Sequence, residues 1–298
     1  MRIIDAHHHL WDLELNHYPW LRPETRHPAG DLTPICRSYR LSDFLEDARH
    51  QDLAASVHLQ AAMAHPLAET AWLQSLADAP GSHGFPHAIV AWADLADPAV
   101  EQLLERHCTH PNVRGIRFML NYLPGEPLYC MTDRPDWLAD PQWLAGFALL
   151  ERYHLSFDLQ IYPHQMADAA ALAARHPGIQ LLLNHAGLPI RRDAPYLADW
   201  RAALRTLAAL PHVAAKISGL GMFEPDWTAA SIRPLVLDTI AIFGIERCLF
   251  ASNFPVDKLA NDYDTIWQAF DQITADFSED ERQKLFHDNA AHFYRLGR

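Results

Sequence analysis

Residues 3 to 12 of the chain read Ile3-Ile-Asp-Ala-His-His-His-Leu-Trp-Asp12, a short apolar run that leads into three consecutive histidines. The first four of these residues predict a buried β-strand. Alternate side chains of a strand share one face, so we expect Asp5, His7 and His9 to point to one side and His8 to the other. A parallel barrel keeps its catalytic residues at the C-terminal ends of its strands. The stretch therefore predicts two imidazoles side by side at such an end.

The histidine run has two simpler interpretations, an expression tag and a cluster of surface histidines. A tag is a longer run outside the fold, whereas these histidines lie between Ile-Ile-Asp-Ala and Leu-Trp-Asp. The motif by itself does not exclude a cluster of surface histidines. Residues elsewhere in the sequence are needed to distinguish a surface role of these histidines from a catalytic one.

The composition indicates an α/β domain and narrows the classes of partner. The chain has 298 residues, 49% of them hydrophobic, and no stretch resembles a linker, so we expect one domain over residues 1–298. A net charge of −13 disfavours nucleic acid and anionic membrane surfaces. The sequence shows no signal-peptide pattern, no apolar run of membrane-spanning length and no C-x-x-C pair, so we expect a cytoplasmic protein. The expected partner is a small-molecule substrate, and the sequence makes no prediction of oligomeric state.

Short apolar segments alternate with helical patterns along the chain. The predicted strands cover residues 3–6, 55–60, 88–93, 113–118, 155–161, 179–183, 213–217 and 248–251. Helical spacing between them, as in Leu197, Trp200 and Leu204, implies a parallel sheet with right-handed crossovers. A closed (β/α)8 barrel and an open doubly wound sheet both satisfy this order. The number of strand–helix units favours the TIM-type barrel, and the lack of G-x-G-x-x-G after the first strand weakens a dinucleotide-binding alternative.

Polar and aromatic residues gather where the predicted strands end. In chain order they are His7, His9, Gln60, Trp92, Arg117, Gln160, His185, Lys216 and Asn253. Each alone has an ordinary explanation, such as capping the next helix. Together, the three histidines are expected to converge near Arg117 and Lys216 in an electrophilic pocket. We predict that substrate is bound by Gln60, Trp92, Arg117, Gln160 and Lys216.

These residues belong to an ordered series of motifs that spans nearly the whole chain. The motifs are Ile4-Asp-Ala-His-His-His-Leu-Trp-Asp12, His58-Leu-Gln-Ala61, Val113-Arg-Gly-Ile-Arg117, Phe157-Asp-Leu-Gln-Ile-Tyr162, Asn184-His-Ala-Gly187, Lys216-Ile-Ser-Gly219 and Phe250-Ala-Ser-Asn-Phe-Pro255. In this series the chain resembles the amidohydrolase superfamily, in the branch that includes sugar lactonases and pyrone-dicarboxylate lactonase. The resemblance implies a (β/α)8 barrel that hydrolyses an ester, lactone or amide by attack of water on a carbonyl.

The resemblance also implies roles for the candidate residues. It makes His7, His9 and His185 catalytic, either as ligands of one divalent metal ion, with zinc the expected one, or as carbonyl-polarising groups without metal. It assigns Arg117 to a substrate carboxylate or to the developing oxyanion, for which the planar guanidinium is suited. Gln160 stands where many metal-dependent relatives supply a lysine or histidine, which argues against a binuclear site.

One position departs from the family pattern. The superfamily has an aspartate after the eighth strand that ligates metal and takes a proton from the attacking water, but this chain has Asn253. A carboxamide offers no proton acceptor near neutral pH. Three replacements stay open: Asp257 from the following loop, an unmetallated histidine such as His185, or a metal-bound water with a pKa of about 7. Asn253 and Asp257 both count among the candidate catalytic residues.

The candidate site is compatible with three functions. The first is hydrolysis of a lactone or similar cyclic ester of a sugar acid or aromatic catabolite, with Asn253 orienting water or substrate. The second is non-oxidative decarboxylation at the same site. The third is a pseudoenzyme that binds a carboxylate without turnover. Substrate choice is expected to depend on the loops at 17–34 and 121–135, where Tyr122, Tyr129 and Arg134 either line the pocket or cover the barrel mouth.

Overall fold

Eight parallel strands form the centre of the protein in a computed structural model that describes residues 1–297. They are β1 (Arg2–His8), β2 (Asp52–Leu59), β3 (Ala88–Ala91), β4 (Val113–Met119), β5 (Ser156–Gln160), β6 (Leu181–Leu183), β7 (Val213–Ile217) and β8 (Cys248–Phe250). Each strand pairs with the next in chain order. The ring closes where His9 N–H donates to the Phe254 carbonyl over 2.7 Å and Asn253 N–H to the His7 carbonyl over 2.8 Å. The predicted (β/α)8 barrel is confirmed, and the open sheet is excluded.

Helices follow the strands and surround the barrel. They are α1 (Leu41–Asp47), α2 (Pro66–Ala77), α3 (Val100–Cys108), α4 (Pro141–Arg152), α5 (Met166–Arg175), α6 (Ala194–Ala208), α7 (Ala229–Phe243), α8 (Tyr263–Ile273), α9 (Glu279–Gln283) and α10 (Asn289–Phe293). Asp140, Asp193 and Asp262 accept backbone N–H bonds at the starts of α4, α6 and α8 and so stabilise these helix ends. Over residues 1–297, no helix combines the length and apolar character that a bilayer crossing requires.

Two apolar layers form because alternate side chains of a strand face opposite sides. Small and branched side chains such as Ala6, Val57 and Ala214 fill the inside of the barrel. Large side chains such as Trp143 and Trp200 pack between the strands and the helices. The inside of the barrel is therefore a packed core rather than a channel.

The C-terminal segment fills one end of this core. Phe293 and Tyr294 pack against the inner layer. Arg295 donates hydrogen bonds to the carbonyls of Arg114 and His154, which lie at the starting ends of β4 and β5. Protein thus covers the N-terminal ends of the strands, and the loops after the strands form the opposite face.

A register irregularity in β1 changes the expected direction of Asp5. The pairing with β2 shifts between Asp5 and His8, and such a bulge re-aims the side chains around it. Asp5 points out of the barrel and accepts bonds from Ser252 Oγ at 2.6 Å and from the Tyr263 hydroxyl at 3.1 Å. His7 points into the barrel. The expectation that Asp5 shares a face with His7 was therefore wrong, because it assumed a regular strand.

Candidate active site

A cavity of about 790 Å³ lies at the C-terminal ends of the barrel strands. The candidate residues in its lining are His9, Arg117, Gln160, His185 and Asn253, and each of these side chains is buried. Barrel enzymes place their chemistry at this face, and cavities of this size hold small-molecule ligands. Five of the candidate residues thus meet in one cavity although they come from different strand ends.

Three imidazoles share a small volume beside the cavity. The ring centroids of His7 and His185 are 4.5 Å apart, and those of His7 and His9 are 5.1 Å apart. His7 is fully buried and lies behind the other two rings. His8 points outward, as predicted, and stacks on Phe44 at a centroid distance of 4.1 Å. The barrel therefore brings histidines from two distant segments of the chain together.

The hydrogen bonds of His9 and His185 determine what these rings can do. His9 Nδ1 lies 2.8 Å from the Leu59 carbonyl, which only accepts, so Nδ1 carries the proton and Nε2 keeps a lone pair. His185 Nδ1 lies 2.9 Å from Ser218 Oγ. Burial, followed by the charge of Arg117 for His9 and of Lys216 for His185, holds the pKa of each imidazole well below its usual value. Both rings are neutral at pH 7.

The Arg117 guanidinium is fixed beside these rings. Its Nη2 donates to the Gln60 carbonyl, its Nη1 lies 3.3 Å from Gln160 Oε1, and Nη1 is also 3.5 Å from His7 Nε2. Burial lowers the pKa of Arg117 to about 10, so the side chain still carries its charge at neutral pH. The site thus combines one oriented cation with neutral imidazoles.

Asn253 connects the cavity to a buried carboxyl group. Its backbone is in the left-handed region, with φ at 58°, and His185 has the same unusual conformation, with φ at 54°. Asn253 Nδ2 donates to Asp257 Oδ1 over 3.1 Å. Burial raises the pKa of Asp257 to about 7. Asp257 contacts Asn253 on the side away from the cavity. It can therefore affect a bound ligand only through the Asn253 amide.

Lys216 lies deeper in the barrel than the sequence suggests. It forms an ion pair with Asp158 in β5, and both side chains are fully buried. The Tyr294 hydroxyl and Asn184 Nδ2 each donate to Asp158 Oδ1 over 3.0 Å. Burial lowers the pKa of Lys216 to about 8. Lys216 therefore points to Asp158 in the barrel interior, and a direct substrate contact does not fit this placement.

Gln60 and Trp92 also point away from the cavity. The Gln60 side chain turns back to accept the Ala62 N–H over 2.6 Å, and only its backbone carbonyl meets Arg117. The Trp92 ring packs outside the strands, nearly parallel to Phe118 at a centroid distance of 6.1 Å. Neither side chain lines the cavity, so a substrate contact does not fit their placement.

Loop residues complete the cavity, and most of them are absent from the sequence prediction. They include Trp20, His27, Asn121, Leu128, Met131, Met222 and Phe223, together with Tyr129 and Tyr162. Tyr129 lines the cavity, which is one of the two roles predicted for it, whereas Arg134 binds Asp136 and Asp140 at the surface. Tyr162 follows the fifth predicted strand and ends the motif Phe157-Asp-Leu-Gln-Ile-Tyr162, so the sequence indicates it, whereas the other loop residues follow no periodic pattern.

The placement of His7, His9 and His185 shows whether their nitrogens could together bind one metal ion. Among residues 1–297, no group of three or more His, Cys, Asp or Glu side chains is arranged to hold an ion. Arg117 Nη1, 3.5 Å from His7 Nε2, also places a positive charge beside these imidazoles, which disfavours a second cation there. As placed, these residues do not fit a metal ion.

Comparison with known proteins agrees with this architecture. A family model described as amidohydrolase matches residues 4–296. The chain belongs to the amidohydrolase family. This result confirms the resemblance inferred from the motifs, and it makes the protein an enzyme of the hydrolase class.

Relatives match this family member over its whole length. The "Uncharacterized protein y4mH" of Sinorhizobium fredii is 49% identical over 99% of this chain and 98% of its own. The L-fucono-1,5-lactonase of Burkholderia multivorans is 34% identical over 98% of this chain and 96% of its own. The crystal structure of an amidohydrolase from Burkholderia multivorans with bound zinc is 31% identical and superimposes with a TM-score of 0.82, covering 100% of both chains.

Proposed function

We propose that this amidohydrolase opens a lactone of a sugar acid, or a similar cyclic ester of an aromatic catabolite, by attack of water on the carbonyl carbon. The observation that carries the proposal is the placement of one fixed guanidinium, Arg117, beside the neutral imidazoles of His9 and His185 in one cavity. The relative named L-fucono-1,5-lactonase, 34% identical over 98% of this chain, supports a lactone as substrate class.

In the proposed step, Arg117 binds the carbonyl oxygen of the lactone. Negative charge develops on this oxygen as water adds, and an oriented buried cation stabilises that charge. The water oxygen forms a bond to the carbonyl carbon as His9 takes a proton from it, the ring carbon–oxygen bond breaks, and the leaving ring oxygen takes that proton from His9. The product is the open-chain hydroxy acid.

His9 is the proposed proton acceptor for the attacking water. Its Nε2 carries the lone pair because Nδ1 is bonded to the Leu59 carbonyl. The charge of Arg117 lowers the pKa of His9 in the free enzyme after the larger effect of burial. Negative charge on the substrate oxygen offsets the guanidinium and makes His9 more basic as the proton arrives. His185 faces the same cavity and is proposed to position the water, while His7 holds both rings in place.

Asn253 is proposed to orient water or a substrate hydroxyl rather than to act as a base. Its amide nitrogen donates to Asp257, which leaves Oδ1 as an acceptor. Asp257 therefore sets the direction of the amide. This arrangement gives a role to the asparagine that replaces the aspartate of the family pattern.

The proposal is tested with purified protein on a panel of aldono-1,4-lactones, aldono-1,5-lactones and aromatic lactones. A pH indicator follows the acid that each ring opening releases. We expect turnover of at least one lactone class. The proposal fails if no lactone is opened, or if the protein instead releases CO2 from aromatic carboxylic acids.

Removal of metal is expected to leave this activity intact. The charge of Arg117 beside His7 disfavours a metal ion, so protein dialysed against a chelator should keep its kcat/KM within about twofold. Elemental analysis of the same samples is the control for complete removal. A loss of more than about tenfold that added zinc restores would instead assign a catalytic metal to His7, His9 and His185.

The variant Asn253→Asp separates an enzyme adapted to asparagine from a binding protein that has lost its base. Aspartate at this position would face Asp257, whose pKa is already raised to about 7, so the two carboxyl groups share a proton and the amide that orients the water or hydroxyl is lost. We expect kcat/KM to fall by about tenfold or more. The double variant Asn253→Asp/Asp257→Asn, which restores one amide and one carboxyl, should recover part of the loss. A gain of activity in the single variant would identify a pseudoenzyme.

A further inference from the structure

The shape of the cavity carries information about the substrate beyond its lactone ring. We infer that the natural substrate bears an apolar group, alkyl or aryl, next to the lactone ring. The inference rests on the proposed lactonase function, since it concerns the part of the ligand that extends from the reacting carbonyl. At about 790 Å³, the cavity lies in the range of roughly 300–1,000 Å³ that accommodates drug-sized ligands, which are much larger than a monosaccharide lactone.

The walls of the cavity differ in character from its strand-end floor. The floor carries the polar side chains of the candidate active site. The loops above it contribute Trp20, Leu128, Tyr129, Met131, Met222 and Phe223. These side chains are only partly buried, so they present an apolar surface to the cavity rather than filling the core.

Several contacts hold this apolar wall in a fixed shape. Tyr129 and Phe223 come from different loops, and their ring centroids are 6.2 Å apart. The Tyr162 hydroxyl donates to the Tyr129 carbonyl over 2.8 Å. Trp20 Nε1 donates to the Ala61 carbonyl over 2.7 Å. The wall is therefore a preformed binding surface, which reduces the entropy cost of ligand binding.

The chemistry of this wall selects against a ligand that is polar throughout. A hydroxyl group pressed against these side chains loses its bonds to water without gaining a partner. An alkyl or aryl group in the same place is removed from water and gains affinity. The loops also bring polar residues to the cavity. Arg26 and Glu126 are exposed at its rim, and His27 and Asn121 already have hydrogen-bond partners, His27 Nδ1 the Ala29 N–H and Asn121 the side chains of Tyr162 and Gln160.

The inference is tested by comparing lactones that share one ring and differ in their substituent. δ-Valerolactone carries none, and δ-nonalactone carries a butyl chain beside the ring oxygen. We expect kcat/KM to be at least about tenfold higher for δ-nonalactone, as contacts in an apolar pocket commonly provide. Equal values for the two, or a sugar lactone preferred over both, would overturn the inference while the lactonase proposal stands. No turnover of any lactone would refute the lactonase proposal itself.

Wall variants provide a second test of the same inference. Phe223→Ser and Met131→Ser, which change two different loops, should each reduce the ratio of kcat/KM for δ-nonalactone to that for δ-valerolactone by about threefold or more. The matched control is Leu15→Ser, because Leu15 is 70% exposed at the surface. Thermal unfolding confirms that each variant is folded. An unchanged ratio in both folded wall variants would show that the wall does not bind substrate.

Discussion

Arg117→Met is expected to lower kcat/KM for the lactone by roughly a hundredfold to a thousandfold, with most of the loss in kcat. Methionine preserves the length of the buried side chain but removes the cation that is proposed to bind the carbonyl oxygen. The loss falls mainly on kcat because the charge on that oxygen is largest in the transition state. Steady-state kinetics on the best lactone of the panel measures the effect.

The same β4 strand offers a matched control for this variant. Arg114 lies three residues earlier, and its Nη1 donates to the carbonyls of Pro111 and Val113 at the other end of the strand. Arg114→Met should therefore leave kcat/KM nearly unchanged. Arg117→Lys retains the charge without the planar fork of donors and should give an intermediate loss. Activity of Arg117→Met close to that of Arg114→Met would show that the guanidinium does not stabilise the reacting carbonyl.

The strand-end part of the site is predictable from the sequence because a barrel fixes where each strand ends. His9, Arg117 and His185 follow apolar runs, and the parallel order of the strands brings them to one face. Residue types alone then indicate the chemistry, since imidazole and guanidinium groups seldom gather around one cavity for structural reasons. No knowledge of the loops is required for this step.

The errors of the sequence prediction come from details of strand geometry. Gln60 lies one residue past the end of β2, and its side chain turns back to the Ala62 N–H instead of continuing the strand. β3 ends at Ala91, one residue before Trp92, and the alternation of side chains no longer applies there. Lys216 does point inward, but the acid it meets on β5, Asp158, lies below the cavity.

The sequence names the loops at 17–34 and 121–135 as determinants of substrate choice, but it does not show which of their side chains face the cavity. Trp20, Met131 and Phe223 lie in segments without helical or strand periodicity, so spacing gives no face or direction to their side chains. Their positions depend on contacts with other loops, such as the ring contact between Tyr129 and Phe223. The loop part of the cavity therefore depends on contacts between loops, whereas its strand-end part depends on the strands.

The largest expected effect on stability belongs to Lys216→Met. The variant leaves Asp158 buried without its cationic partner, although the Tyr294 hydroxyl and Asn184 Nδ2 still donate to it. Removal of one member of a buried ion pair costs about 3–5 kcal/mol, because the remaining charge has lost both its solvent and its partner. We expect a loss of this size in the free energy of unfolding, measured by chemical denaturation.

The double variant Lys216→Met/Asp158→Asn separates the structural and electrostatic roles of the pair. It leaves no unpaired buried charge, so it should regain much of the stability that Lys216→Met loses. Burial and then the charge of Lys216 hold the pKa of His7 well below its usual value. If stability returns without activity, the pair acts on the imidazoles through its charge. If both stability and activity return, the pair has a structural role only. Unchanged stability in Lys216→Met would show that Asp158 does not need a cationic partner.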